Sequence, residues 1–162
     1  MKGYICLNKD HKHFNGETYY DGDSFDSKNG KEEILVYKHI EDAFRNMNAF
    51  NEDVVLMSVE TKGKGRKIED RNFGFEEQYF FSDVKFTREL QRDEIIAEAL
   101  ELPSTRAKRF IEMFKLYPNE VRAFKEKFSD SGEVLRAILY YQIGQHDVYE
   151  KYEESLRKGG KR

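Results

Sequence analysis

An α+β fold, with a small and mainly antiparallel sheet, one helix and then four to five short helices, is predicted for this chain by three observations. First, residues 1–86 hold short runs of Tyr, Phe, Val and Ile broken by Gly, Asn and Asp: Gly3-Tyr4-Ile5, Thr18-Tyr19-Tyr20, Val54 to Val59, and Tyr79-Phe80-Phe81. Second, at Phe86–Thr87 the apolar period changes from two to 3.6. Third, Pro103, Pro118, Gly132 and Gly144 punctuate the remainder at helix-length intervals. The pattern divides the chain into a sheet-containing unit (1–86), a helical subdomain (87–158) and a frayed tail (159–162).

The elements follow in order. Residues 2–7 read as a strand and Asn8 to Asn15 as a polar loop, with extended structure resuming at Gly16. Asp21-Gly22-Asp23 is a turn signal, because Asp-Gly tolerates positive φ. Residues 24–32 are polar and read as loop, and Ile34 to Tyr37 as a strand. From His39 to Phe50 the stripe Ile40, Ala43, Phe44, Met47 and Phe50 predicts a short helix with Glu41, Arg45 and Asn46 facing water. Val54 to Val59 is continuous enough for a strand buried on both faces. Thr61 to Lys67 reads as a mobile basic turn or hairpin loop, and Phe75 to Phe86 as an irregular strand. Helices are expected over 88–101, 104–116, 118–128, 131–143 and 146–157, with Ser104 as a cap and Pro118 in a first helical position. The stripe Ala107, Phe110, Ile111, Phe114, then Val121, Phe124, Phe128, Val134, Leu135, Ile138 and Leu139, predicts a small bundle core.

Composition restricts the function classes. Thirteen Phe and ten Tyr argue against disorder. Residues 1–86 carry 13 Lys+Arg against 17 Asp+Glu, and residues 87–162 carry 15 against 14. Neither part has the basic excess of a protein that lives on phosphate backbones. The single cysteine, Cys6, excludes an internal disulfide and sits in an apolar strand pattern that favours an inert thiol. No signal-peptide pattern opens the chain and no window reaches the roughly 20 apolar residues of a membrane span. The expectation is a cytoplasmic protein without membrane contact.

Motifs that carry chemistry are sparse. Asp10, His11 and His13 could place two imidazoles on one side of an extended segment, as metal ligands require, but no further ligand stands out; exposed loop histidines are the simpler reading. His39 is read as starting the helix at 40, and His146 lies at a turn. The turn around Gly63 and Gly65 offers Lys64 and Arg66, without the spacing of a phosphate-binding loop. Arg106, Lys108, Arg109, Lys115, Arg122, Lys125 and Lys127 give two short, tightly joined helices a basic bias, in the manner of a helix-turn-helix. Glu112, Glu120 and Glu126 are interleaved with them, so much of this charge is paired, and a solvated helix face is the simpler reading. No nucleophile elbow or base-paired thiol is present, so no catalytic residue, metal site or cofactor is assigned.

The first ~95 residues resemble a family of small phage and prophage proteins that is catalogued as a domain of unknown function. The resemblance rests on Lys2-Gly3-Tyr4, Asn8-Lys9-Asp10, Gly16-Glu17-Thr18-Tyr19, Glu41-Asp42-Ala43-Phe44, the strand over 54–59, and Leu90 with Glu94-Ile95. The Gly-Phe-His-Phe-Cys-like element of that family is replaced here by Glu33-Ile34-Leu35-Val36-Tyr37, so Leu35 and Tyr37 stand where its His and Cys would fall. The resemblance implies a phage or mobile-element origin. It leads to the expectation of a non-enzymatic accessory protein that binds a host protein or ribonucleoprotein complex, such as an inhibitor of a CRISPR-type bacterial defence. Asp21, Asp23, Asp26, Glu32 and Glu33 are the candidate partner-binding residues, since an acidic surface complements a nucleic-acid-binding groove. Two alternatives stand beside it. One is a nucleic-acid-binding module using Lys64, Arg66, Arg106, Lys108, Arg109 and Lys115. The other is a degenerate ADP-ribosyltransferase-like enzyme, with Glu76 or Glu77 as its carboxylate.

Overall fold

Seven strands form an antiparallel sheet, within an α+β fold: β1 (Lys2–Asn8), β2 (Ser24–Asp26), β3 (Ile34–Tyr37), β4 (Val54–Thr61), β5 (Arg66–Ile68), β6 (Gln78–Phe81) and β7 (Asp83–Leu90). One helical turn, α1 (Ile40–Ala43), follows β3, and α2 (Arg92–Leu100) follows β7. The structure, a computed structural model, describes residues 1–27, 31–44, 53–68 and 77–143, with 141–143 as backbone alone. Contacts group the chain into two compact units, Met1–Ala99 and Leu100–Arg162.

Strand order in the sheet is β2-β7-β4-β1-β3-β6-β5. Laid flat, this order would hold β6 and β7 about 19 Å apart, given the ~4.8 Å spacing of neighbouring strands. Only Ser82 lies between them, a step of at most ~7 Å. The sheet is therefore coiled, and one run of chain bent at Ser82 serves both ends of the order. Inside the coil, Ile5, Leu7, Val36, Met57, Val59, Val84 and Phe86 form a core from which water is excluded. Tyr19 closes it, its ring stacked on Phe86 at 4.2 Å between centroids. Each such side chain contributes about 1.5–3 kcal/mol on burial.

A β-bulge lies where the sequence pattern changes. Ser58 pairs with Arg88 but Val59 pairs with Phe86, so Thr87 is the extra residue, and its hydroxyl donates to the Ser58 carbonyl at 2.7 Å. The insertion reverses the side-chain phase. Val84 and Phe86 enter the coiled core, whereas Leu90 pairs with Leu56 on the opposite face. Residues 88–90, expected to begin a helix, thus continue the strand, and α2 starts only at Arg92. Tyr4 in β1 donates its hydroxyl to Glu98 of α2 at 2.6 Å, which ties that helix to the sheet.

Other expectations are corrected. Ser24–Asp26, read as loop, is edge strand β2, paired with β7. Its three polar-flanked residues are too few to show a period. The basic turn is confined to residues 62–65, and Arg66 already belongs to β5. Glu41, expected in water, is fully buried with Asp42, because a single turn packed on β1 and β3 has no outer face. The rest of that expected helix, 45–50, lies outside the described residues, as do Glu76, the helix over 146–157 and the tail over 159–162.

The second unit contains α3 (Ser104–Met113), α4 (Pro118–Lys127) and α5 (Gly132–Ala137), which continues as a π-helical stretch over Ile138–Ile143. Pro103 occupies the cap position of α3, so Ser104 is its first helical residue and makes no cap bond. Pro118 does start α4, and Glu120 reaches back to accept the Tyr117 amide at 2.8 Å. Phe110 stacks on Phe114 and Phe124, and Phe124 on Phe128, in the predicted core. Leu139 leaves that stripe and is exposed.

The β1–β3 seam has the single register pair Tyr4↔Tyr37. It depends on Gly3, where a Cβ would meet Val36 Cγ1 at 2.4 Å and the Tyr37 carbonyl oxygen at 2.9 Å. Gly3→Ala is expected to lower stability by about 1–3 kcal/mol, read as a fall in the urea midpoint. An unchanged midpoint would show that β3 can move off β1 without loss.

Candidate functional site

The polar loop after β1 is built by its own side chains. Asn8 Oδ1 accepts the amides of Asp10 and Lys12, both at 2.9 Å, and His11 takes a left-handed conformation with φ 62°. The His13 amide then donates to the Glu17 carbonyl and the Gly16 amide to the His13 carbonyl. This network fixes the two histidines differently. His11 Nδ1–H donates to the Tyr19 carbonyl at 2.9 Å, its ring stacks on Tyr20, and its Nε2 lies 3.6 Å from Glu89 Oε2. His13 Nδ1 instead accepts the Asn15 amide at 3.1 Å, and its ring meets Phe14 and Tyr19 edge-on. The imidazoles therefore do not converge as a metal pair would. No group of three or more His, Cys, Asp or Glu suited to a metal ion occurs among the described residues.

A cavity of about 220 Å³ opens beside this loop, walled by Ile5, Cys6 and Ile34 from the sheet and Ala43 from α1. His13, Phe14, Glu33 and Phe80 also line it. The Glu33 carboxylate is held by Arg66 at 3.1 Å, and the Arg66 guanidinium lies 4.7 Å from the centre of the Phe80 ring. Burial lowers the pKa of His13 below its ordinary 6.5 and favours the neutral ring. Burial pushes the Cys6 thiol up to about 12.

The five acidic candidates separate into two places. Asp21, Asp23 and Asp26 are exposed along the turn that enters β2 and on β2 itself. Gly22 makes this turn possible with φ 89°. Asp21 Oδ1 accepts the Glu89 amide at 2.8 Å and Asp23 Oδ2 the Tyr20 amide at 2.7 Å, so both carboxylates are held in place. Asp26 makes no side-chain hydrogen bond among the described residues, and it sits opposite Asp83 in the β2–β7 register. Glu32 follows, its amide donating to Ser27 Oγ. Glu33 is elsewhere, at the cavity, in its ion pair with Arg66.

The basic candidates are dispersed as well. Lys64 and Arg66 belong to the first unit; Arg106, Lys108, Arg109 and Lys115 belong to the second, where each is half-buried. Arg106, Lys108 and Arg109 lie on α3, and Lys115 follows its end.

Glu77 sits in a third cluster. Its Oε2 lies 2.7 Å from His39 Nε2 and 3.4 Å from Lys38 Nζ, and its Oε1 lies 3.9 Å from Lys67 Nζ. The His39 hydrogen bond, then Lys38, hold its carboxyl below the ordinary value of 4.5. This ion-paired setting stabilises the anion and suits neither a general acid nor a base tuned to neutral pH. The sequence singles out His39 and Glu77 separately and does not pair them, since 38 residues separate them.

No family model, no curated protein and no solved structure matches this chain. No helix among the described residues is long and apolar enough to cross a membrane.

Two measurements check these assignments. Cys6 should resist a thiol reagent at about pH 8 in the native protein and react fully in denaturant; fast native labelling would refute the buried thiolate-poor site. Because the folded pKa of Glu77 is depressed, its contribution is complete above about 4.5 and is lost as pH falls through the folded value. Glu77→Gln should therefore be less stable than the native protein at neutral pH, with the gap closing on acidification. A gap that stays constant with pH would remove the ion pair from the account.

Proposed function

We propose that this protein is a non-enzymatic accessory protein that binds a basic, nucleic-acid-binding groove on a host protein or ribonucleoprotein through the acidic β2 edge, as an inhibitor of a bacterial defence complex would. The observation that carries the reading is the row of exposed carboxylates Asp21, Asp23 and Asp26 along β2 and the turn before it, with the first two held by backbone amides. Carboxylates that are fixed before binding lose little conformational freedom when a partner arrives. The unit bearing them carries 15 Lys+Arg against 21 Asp+Glu over residues 1–99, a balance that steers a cationic partner towards it. Asp26 opposite Asp83 adds a repulsion that a basic side chain placed between them would relieve.

The nucleic-acid-binding and ADP-ribosyltransferase-like alternatives have weaker support, given the half-buried cations of α3 and the ion-paired Glu77.

Asp26→Lys is the informative substitution, because it reverses charge without removing a hydrogen bond among the described residues. The native protein, immobilised and exposed to bacterial lysate, should retain a stoichiometric basic partner. Salt and added duplex DNA should release that partner, and the Asp26→Lys protein should lose at least about tenfold in affinity for it. No retained partner, or one indifferent to both DNA and Asp26→Lys, would defeat the proposal.

A further inference from the structure

The cavity beside the 8–16 loop is not used by the acidic edge, and its chemistry is specific. We infer that it is a binding site for a small, neutral aromatic molecule of one ring that carries a hydrogen-bond acceptor.

Size sets the first limit. An apolar cavity of about 150 Å³ stays dry and takes up benzene. At about 220 Å³, this one has room for a ring and one short substituent. Ile5, Ile34 and Ala43 make part of its lining apolar.

Polarity sets the second. The Asn15 amide occupies Nδ1 of His13, so the neutral imidazole keeps its proton on Nε2. Since His13 is part of the cavity lining, an acceptor on the ligand complements that N–H. Glu33 belongs to the same lining, and its carboxylate disfavours an anion. A cation is disfavoured by Arg66, which is bound to that same carboxylate and faces Phe80.

The third observation is Phe14. It lines the cavity yet is 74% exposed, a large aromatic left in water on a loop that is otherwise closed by hydrogen bonds. A flat ligand in the cavity would cover part of it, which gives the exposed ring a use that folding does not.

The test is heteronuclear NMR titration of the full chain with benzamide, toluene and benzoate. Benzamide should give saturable shifts at His13, Phe14 and Leu35 with a Kd of about 1 mM, a value reachable by a ligand of this size. Toluene, which lacks an acceptor, should bind at least about threefold more weakly, and benzoate should not saturate. Phe14→Ala removes an exposed side chain, so it should keep the native unfolding midpoint while weakening benzamide about fivefold. His13→Gln, which retains a donor, should keep more of the benzamide-over-toluene preference than His13→Leu. Absence of saturable shifts with benzamide, shifts that map away from the cavity, or equal binding of all three compounds would overturn the inference. Because Asp26 lies outside the cavity, Asp26→Lys should leave this titration unchanged, which separates failure here from failure of the acidic edge.

Discussion

Ser82 joins β6 to β7 with a single residue, and much of the first unit follows from that short link. Two strands near opposite ends of the hydrogen-bonding order are held within one step of each other, so the sheet has to coil before its side chains can pack. Coiling gives Val84, Phe86, Met57 and Leu7 a common interior, which a sheet of this size would otherwise have to find against helices. It also sets the surfaces. β2 and β5 are left as the two end strands of the order, one flanked by aspartates and the other carrying Arg66 and Lys67. The circuit from β7 through β4, β1 and β3 back to β6 is held least firmly between β1 and β3, where the register has one pair and glycine supplies the room.

The α+β class and most of the strands can be read from the sequence because their apolar runs are short and bounded by turn residues. β1 and β4 show this most clearly, and they pair along seven residues. Periodicity misleads where alternation is broken for a physical reason. At Phe86–Thr87 the change of period has the look of a helix start. It is a bulge: Thr87 is inserted, the phase reverses, and Leu90 faces the other side. A bulge and a strand-to-helix transition both interrupt period two, and only the cross-strand partner tells them apart. β2 escapes the pattern for a different reason. Three residues contain one alternation, and an edge strand needs no second buried face to be held.

Candidate sites are legible in the sequence only as residue types. The turn at Asp21-Gly22-Asp23 can be placed from its dipeptide chemistry, and its carboxylates are where a turn would leave them. Glu33 cannot be separated from Glu32 by sequence, yet strand geometry sends it to the cavity and to Arg66, a partner 33 residues away. Similarly, His11 and His13 share a spacing that suits metal ligands. Their different fates come from the left-handed turn at His11 and from the backbone group that engages each Nδ1, a carbonyl at His11 and an amide at His13. Glu41 shows the limit of helical periodicity: a stripe drawn from His39 to Phe50 assigns it to solvent, whereas the turn that forms there is enclosed on all sides.

Charge in the first unit is distributed as unevenly as its strands. Near β5 and β6 the cations are matched: Arg66 with Glu33, and Lys38, His39 and Lys67 around Glu77. Arg88 is engaged by Glu94. Around β2, by contrast, Asp21, Asp23, Asp26 and Asp83 have Lys85, opposite Ser24, as the cation in their register. Folding alone would favour neutralising that edge, because like charges set opposite each other weaken a strand pair. An end strand with carboxylates does resist pairing with another copy of the chain, which accounts for charge on β2 but not for its anchoring. Repulsion needs only carboxylates in the vicinity, and mobile ones would serve. Asp21 and Asp23 are instead fixed by amides from Glu89 and Tyr20, at separate points of the chain. Carboxylates fixed on an end strand offer a cationic partner a preformed counter-charge, and that is the physical ground of the proposal made for this edge.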